Sequence, residues 1–491
     1  MLTFRNKKTI LTIVLLSFFM TPLFQSCDDE PVDPIIIADS DGDGIANNVD
    51  NCPGISNPDQ LDDDGDGIGN ACDSNVDTDG DGIPDNEDNC PDDANPDQLD
   101  DDGDGIGNAC EINSTPLFEC EGGMAGPYPC NDYDLMAHIP VSVLANTMGN
   151  PEGSDIWGWT DPVTGKEYAL VAMTNSTAFV DVSDPVNPVF LGRIDTSAGT
   201  SFWRDVKVYN DHAFIVADGV GAHGMQVFDL TRLRDITNPP VDLTSDAIYS
   251  DFGSAHNIVI NEDSGYAYPV GTSRSGTFSG GPLFVNIQNP TSPVGEGGFN
   301  GYAHDAQVVT YNGPDTDYTG REILIGSNEN EVVIADITDK ANPVTISTID
   351  YNNIGYTHQG WFTEDMNYFI VGDETDEMGF GNNTRTIVFN LTDLDNPSFH
   401  MDYFGPSAAI DHNGYVKGNT YYMANYAAGL RMIDITSIAA GTMTEVGFFD
   451  THPESNNTSF NGAWSVYPYF ASGNLIVSDI ERGLFILRKS E

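Results

Sequence analysis

The residues with the plainest chemistry are four copies of one acidic phrase: Asp39-Ser-Asp-Gly-Asp-Gly-Ile, Asp62-Asp-Asp-Gly-Asp-Gly-Ile, Asp77-Thr-Asp-Gly-Asp-Gly-Ile and Asp100-Asp-Asp-Gly-Asp-Gly-Ile. Counted from its first Asp, each copy has carboxylates at the first, third and fifth positions, Gly at the sixth, an Ile carbonyl at the seventh and an acid at the twelfth. The donors are therefore Asp39, Asp41, Asp43, Ile45 and Asp50; Asp62, Asp64, Asp66, Ile68 and Asp73; Asp77, Asp79, Asp81, Ile83 and Asp88; and Asp100, Asp102, Asp104, Ile106 and Glu111. Hard oxygens in this order suit Ca2+, which takes about six to eight of them. Two carboxylates ~4 Å apart repel by about 4 kcal/mol at an effective dielectric near 20, so each loop needs a divalent cation to close. About four calcium ions or more are expected. A merely solvated acidic linker would not repeat the complete spacing four times.

The charge confirms a separate module. Of 76 acidic residues in a chain of net charge -58, 28 fall between Asp28 and Glu111, a stretch with no Lys or Arg. Nucleic acid and anionic membrane surfaces are excluded as direct partners, because neutralising phosphates needs basic residues. Seven cysteines stand at 27, 52, 72, 90, 110, 120 and 130. Six form neighbouring couples and Cys27 is left over, which reads as disulfides made outside the cytosol.

The flanks of the acidic loops say which calcium module this is. Asn-Cys-Pro follows the first and third loops, Asn-Pro-Asp-Gln precedes the second and fourth, and Ala-Cys-Asp or Ala-Cys-Glu ends them. Pro and Gly are too frequent for flanking helices, so a paired EF-hand is excluded. The stretch 39–111 resembles the thrombospondin type 3 repeat, in two 38-residue units. That resemblance implies a chain with little secondary structure wrapped around calcium and stapled by sequential disulfides, Cys52 to Cys72 and Cys90 to Cys110. A further disulfide between Cys120 and Cys130 would pin the segment that follows.

Arg5, Lys7 and Lys8 precede an apolar run from Ile10 to about Phe24, with Ser26 just before Cys27. The run is shorter than the ~20 residues a span needs and reads as an export signal. Leu23-Phe-Gln-Ser before Cys27 resembles a bacterial lipobox, which implies lipidation of Cys27 and attachment by the lipid alone. Asp28-Asp-Glu resembles the signal by which some Gram-negative lipoproteins reach the outer surface. An outer-membrane lipoprotein facing the exterior is the expected location.

The rest of the chain is periodic. Phe179-Val-Asp-Val-Ser-Asp-Pro returns as Val227-Phe-Asp-Leu-Thr, Phe284-Val-Asn-Ile-Gln-Asn-Pro, Ile334-Ala-Asp-Ile-Thr-Asp, Val388-Phe-Asn-Leu-Thr-Asp and Met432-Ile-Asp-Ile-Thr, with a degenerate Leu484-Phe-Ile-Leu at the end. The Asp or Asn positions 181, 229, 286, 336, 390 and 434 are spaced by 48, 57, 50, 54 and 44 residues. A period near ~50 holding about four strand-like runs is a propeller blade. The fold class is all-β: a seven-bladed β-propeller behind an irregular N-terminal calcium-binding segment, its last blade completed by an early strand around Ile139-Pro-Val-Ser-Val-Leu, which removes the open edge. The expected order is a lipoprotein signal (1–26), an acidic tether (27–38), calcium repeats (39–111), a disulfide-pinned linker (112–137) and the propeller (138–491).

Trp157-Gly-Trp-Thr-Asp-Pro, Trp203-Arg-Asp-Val-Lys-Val-Tyr, His223-Gly-Met-Gln-Val-Phe-Asp-Leu, Tyr356-Thr-His-Gln-Gly-Trp and Phe460-Asn-Gly-Ala-Trp-Ser-Val-Tyr-Pro make residues 120–488 look like the choice-of-anchor B family. The resemblance implies LVIVD-type repeats and a surface anchor, and brings no established activity.

Comparing the starts of the innermost strands lines up Asp155, Arg204-Asp205, His256, His304-Asp305, His358, Asp411-His412 and Asn461-Gly-Ala-Trp464. Equivalent starts converge on one mouth of the axial channel. Four imidazoles with Arg204, Asp205, Asp305 and Asp411 suit a transition metal such as zinc, or acid/base work on a bound ligand. They equally suit polar caps that hydrogen-bond across blades. A second acidic cluster, Asp373-Glu-Thr-Asp-Glu377, reads as a solvated loop, with calcium as the alternative. The expected function is a surface-anchored head that binds a protein or glycan partner in cell adhesion. The alternatives are a metal-dependent enzyme using the axial His/Asp cluster and an accessory subunit of an envelope complex.

Overall fold

Each period of the sequence breaks at Gly, Asn, Asp and Pro into short apolar alternations, and those runs fold as antiparallel sheets. The computed structural model describes residues 39–58, 60–61, 68–69, 71–72, 77–85, 87–91, 94–96, 98–99, 107, 118–146 and 150–490. The expected signal and tether, Cys27, Asp62, Asp64, Asp66, Asp73, Asp100, Asp102, Asp104, Ile106, Cys110 and Glu111 lie outside the described residues. The chain divides at about residue 75 into two compact units. Among the described residues no helix is long and apolar enough to cross a membrane.

The second unit contains a seven-bladed β-propeller. In chain order the innermost strands are Gly153–Thr160, Arg204–Tyr209, Asn257–Asn261, Asp305–Thr310, Thr357–Phe362, Gly414–Lys417 and Ala463–Tyr467, and they number the blades one to seven. Blade seven takes its outer strand, Tyr133–Ile139, from far upstream, antiparallel to Gly483–Lys489. The expected closing strand is therefore real, but it ends at Ile139, and Val141–Leu144 is a helical turn after Pro140 rather than its continuation. Two blades are widened beyond four strands. Val241–Leu243 pairs in parallel with the edge of blade one, and Tyr128–Asn131, carrying Cys130, extends blade six through Cys130 opposite Phe449. The Cys120–Cys130 disulfide forms as expected, and its stretch is a sheet extension as well as a linker.

The periodic Asp or Asn closes the third strand of its blade in six blades: Asp181, Asp229, Asn286, Asp336, Asn390 and Asp434 each end a strand. Every one accepts, at 2.8–3.1 Å, the backbone N–H two residues on, from Ser183, Thr231, Gln288, Thr338, Thr392 and Thr436. The repeat is thus an Asx turn that stops a strand and turns the chain outward.

The core lies between blades. Seven apolar clusters each join two neighbouring sheets, so that every sheet is covered on both faces and its middle strands read as continuous Val, Ile, Leu and Phe. Ile334, fully buried between blades four and five, is representative. Ile334→Ala is expected to destabilise the calcium-loaded chain by about 2–5 kcal/mol, read as a lowered denaturant midpoint; no shift would mean that the interface is not packed.

Candidate functional site

The first and third acidic loops have one geometry. Asp39 accepts N–H bonds from Gly42 (2.8 Å) and Gly44 (3.2 Å), and Asp77 accepts them from Gly80 and Gly82 (both 2.9 Å). Gly44 and Gly82 sit at φ of 96° and 97°, where a side chain would be strained. Asp43 bonds the Asn57 N–H at 2.9 Å and Asp81 the Asn95 N–H at 2.6 Å, which ties each loop to the chain beyond it. Asp50 and Asp88 each accept from a Cys N–H and from the amide of Gln60 or Gln98.

Asp39, Asp43, Asp77 and Asp81 use both oxygens in such bonds, whereas Asp41, Asp50, Asp79 and Asp88 spare one. Oδ2 of Asp41, Asp50, Asp79 and Asp88 is buried with no hydrogen-bond partner. Asp39, Asp41 and Asp43, and likewise Asp77, Asp79 and Asp81, bring carboxylate oxygens within 4.8 Å of one another. Burial, with Asp81, Asp88 and Asp77 close by, pushes Asp79 up to about 6. Free oxygens turned toward one another among uncompensated charges fit Ca2+. Cys52 is bonded to Cys72, and Cys90 is disulfide-bonded, its expected partner Cys110 lying outside the described residues.

The propeller axis carries two distinct cavities, lined by different parts of the same innermost strands. The smaller, of about 260 Å³, is lined by His256, His304, His358 and His412 with Glu374 and Trp464 among others. Blades three to six place these imidazoles in an arc, with ring centroids 4.1, 4.6 and 4.4 Å apart in turn, and Trp464 of blade seven follows His412 at 4.8 Å. His256 Nδ1 lies 3.3 Å from Asp218, His304 Nδ1 2.9 Å from the Tyr356 hydroxyl, and His412 Nδ1 2.6 Å from the Trp464 carbonyl. Burial, with neighbouring imidazoles adding to it, holds His304 and His358 well below the ordinary histidine range. Burial also lowers His412 to about 4. These rings are neutral, with lone pairs available to an electrophile.

The larger cavity, of about 720 Å³, has two unlike walls. Trp157, Trp361, Tyr415, Tyr467 and Tyr469 form an aromatic arc with edge-on contacts of 5.0–5.6 Å between Trp157 and Tyr467, Trp157 and Tyr415, Trp361 and Tyr415, and Tyr467 and Tyr469. Asp205, Lys207, Asp305 and Gln307 supply a polar arc on blades two and four. The Lys207 ammonium lies 2.5 Å from Asp205, 3.3 Å from Asp155 and 4.5 Å over the Trp157 ring. Burial would lower Lys207, but Asp155 and Asp205 outweigh it and hold the ammonium above its usual range.

The eight axial residues expected in one ring therefore separate. Four imidazoles meet; Arg204, Asp205, Asp305 and Asp411 are elsewhere. Neighbouring residues of an extended strand point to opposite sides, so a His and the acid beside it are not expected to share a face. Arg204, 1% exposed, donates to Thr196 (2.9 Å) and contacts His223 Nε2 (3.1 Å). Asp205 accepts from the Ile258 N–H of blade three at 2.8 Å, while Gln307 and Gln359 accept from Phe362 and Gly414 of the next blades. These are the cross-blade clasps that the polar-cap alternative describes. Asp305 lines the larger cavity and is raised to about 6 by burial. Asp411, buried, accepts from Thr386 at 3.0 Å.

The Asp373–Glu377 cluster is not a solvated loop: Asp373, Asp376 and Glu377 are 0–2% exposed. Asp373 accepts N–H bonds from Gly355 and Tyr356 and a bond from the Tyr351 hydroxyl, and so holds the entry of blade five. Its neighbour Glu374 turns to the histidines, 3.7 Å from both His358 and His412. Glu374 and Asp218 are members of the site that the sequence reading left out. The one signal for Glu374 was its place directly after the second strand of blade five.

Replacing Asp41 or Asp79 by Asn removes one spared oxygen and one charge from its loop. Each is expected to weaken calcium binding at that loop by about tenfold or more, seen by calorimetry on stripped protein with the disulfides intact; unchanged binding would exclude these oxygens as ligands.

None of the curated proteins matches this chain. Among solved structures, the hydrazine synthase of Kuenenia stuttgartiensis aligns at 11% identity with a TM-score of 0.45 over 66% of this chain and 92% of that one. A protein of Lactobacillus plantarum aligns at 11% identity and TM-score 0.43 over 67% and 89%. A β-propeller domain of Myceliophteria thermophila aligns at 9% identity and TM-score 0.43 over 66% and 94%. Family models match in two places. Residues 38–60 and 61–98 match the thrombospondin type 3 repeat, and residues 163–196, which span the second, third and fourth strands of blade one, match the LVIVD repeat.

Proposed function

We propose that this chain is a lipid-anchored protein of the outer membrane facing the cell exterior, with calcium-loaded repeats between the anchor and a propeller head that binds a glycan in cell adhesion. The observation that carries the binding role is the 720 Å³ axial chamber with its aromatic wall opposite a hydrogen-bonding wall. Concave, largely apolar sites with a few placed polar groups are where ligands bind. A sugar ring has the matching two sides: its C–H face lies against Trp157 and Trp361, and its hydroxyls reach Asp, Gln and Lys. One ammonium, Lys207, stands against Asp155, Asp205, Asp305, Glu262 and Glu364, so acidic saccharides and phosphates are disfavoured. The calcium repeats support an extracellular setting, since their loops close on a cation abundant there.

A second reading, metal-dependent catalysis, has its own observation in the four imidazoles and Glu374, and it requires an ion among them first.

The test is calorimetry on the calcium-loaded full chain with neutral oligosaccharides of glucose, mannose and N-acetylglucosamine. Binding of at least one series is expected, and Trp157→Ala or Trp361→Ala should each weaken it by ~1 kcal/mol or more, about fivefold. Capture of a surface protein with no sugar bound would make the partner a protein. Binding indifferent to both tryptophans would remove the chamber from the account.

A further inference from the structure

We infer that the histidine mouth is a site for a divalent first-row transition-metal ion, held by His358, His412 and Glu374 with His304 and His256 beside them. The inference does not depend on what the opposite chamber binds.

The argument begins with protons. Nδ1 of His412 faces the Trp464 carbonyl, which can only accept, so that nitrogen carries the hydrogen and Nε2 carries the lone pair. That Nε2 looks at Glu374 Oε1 across 3.7 Å. Two electron-pair donors are set facing one another, too far apart for a hydrogen bond. His358 Nε2 repeats the arrangement with the other oxygen of Glu374, also at 3.7 Å. Ligands bound at ~2.0–2.1 Å to a tetrahedral ion stand roughly 3.3 Å apart, so the observed spacing is that of donors around an ion, slightly open.

A further nitrogen is left open. Nε2 of His304, in a residue 5% exposed, is buried and has no hydrogen-bond partner. A buried polar atom without a partner costs stability unless something occupies its lone pair. Ligand atoms of His358, Glu374 and His412 lie within 4.8 Å of one another, as do those of His256, His304 and His358. His358 thus belongs to both triads, and the first contains the carboxylate that offsets the ion's charge.

The surroundings complete the pattern of a metal centre. Imidazole ligands are commonly oriented by a partner on the far ring nitrogen, and that partner is Asp218 for His256, Tyr356 for His304 and the Trp464 carbonyl for His412. Glu374 is itself held by the Tyr426 hydroxyl at 2.9 Å. Neutral imidazoles with one carboxylate select zinc, iron(II) or a neighbouring ion over calcium, which prefers oxygen alone. The 260 Å³ cavity leaves room for water or a small ligand to complete the coordination.

The experiment uses the full chain purified in calcium without chelators, loaded with zinc and freed of excess by gel filtration, with both metals counted by plasma mass spectrometry. About one zinc per chain is expected in addition to calcium. Zinc should fall to background in His358→Ala and in Glu374→Gln while the calcium count and the melting transition persist. Tyr426→Phe, which removes the hydroxyl that positions Glu374, should weaken zinc by ~10–100-fold without abolishing it. Cobalt(II) added to the unaltered chain should give a visible absorption band that zinc displaces, a readout that holds even where a variant fails to fold. No zinc above background, no cobalt band, or zinc retained in full by both ligand variants would each overturn the inference.

Discussion

The alternation of side chains along the innermost strands is the constraint on which the rest of the head depends. Successive residues of an extended strand point to opposite sides, so one register of seven parallel-running starts sorts residue types into separate compartments. His256, His304, His358 and His412 hold one position and line one mouth; Asp155, Asp205 and Asp305 hold the next position and line the larger chamber. A shift of one residue in blade four would exchange His304 for Asp305, and in blade five His358 for Gln359. The Asx turns bear on this order because each fixes where its third strand stops and so limits slippage. The same holds at the closure, where Tyr133–Ile139 pairs with the last strand, with one register shift between Leu135 and Ala137, and covers the outer edge of Gly483–Lys489.

The chain's large negative charge is handled in three ways, by location. In the N-terminal loops the carboxylates keep spare oxygens and call for cations. On the propeller rim they are spent on turns, where Asp336 and Asp434 accept local N–H and O–H bonds and are held below their usual range despite the opposing effect of burial at Asp336. Inside the propeller some are paired with a buried or half-buried cation, as Asp161 is with Arg234 at 2.5 Å and Asp376 with Arg385 at 3.1 Å. A uniform reading of acidity as calcium binding would therefore be wrong for most of the sequence, and spacing is what separates the cases.

That distinction explains what was legible beforehand. The loops could be read because every ligand of a calcium loop lies within about twelve residues, so local spacing contains the site. The blades could be read because the strand-ending Asp recurs with the fold's own period. The histidine arc was visible for the same reason, as an equivalence between repeats. Glu374 and Asp218 were not, because each follows the second strand of its blade and reaches the mouth from a loop that no repeat comparison aligns with the first-strand starts. Arg204 misled for the converse reason: it holds the aligned position in blade two, yet a long side chain can leave the axis, and it does so toward Thr196 and His223. Cluster Asp373–Glu377 looked solvated because acidity predicts exposure only on average; three donors in the blade-five entry loop and the Thr375 N–H all bond to Asp373.

The acidic loops and the proposed metal site at the histidine mouth differ in donor chemistry, and this alone would separate the ions they hold. Oxygen-only loops built from Asp and backbone carbonyl hold a hard ion by charge and tolerate its loose geometry. A pocket of neutral imidazoles contributes little charge and gains from directional nitrogen lone pairs, which calcium does not reward. Burial sharpens the contrast, since it keeps His304 and His358 unprotonated where an exposed pair would begin to titrate near neutrality. Calcium that fills the loops would therefore not compete for the histidine mouth. One chain of strongly acidic composition can carry both chemistries because one is written in local spacing and the other only in the register of its blades.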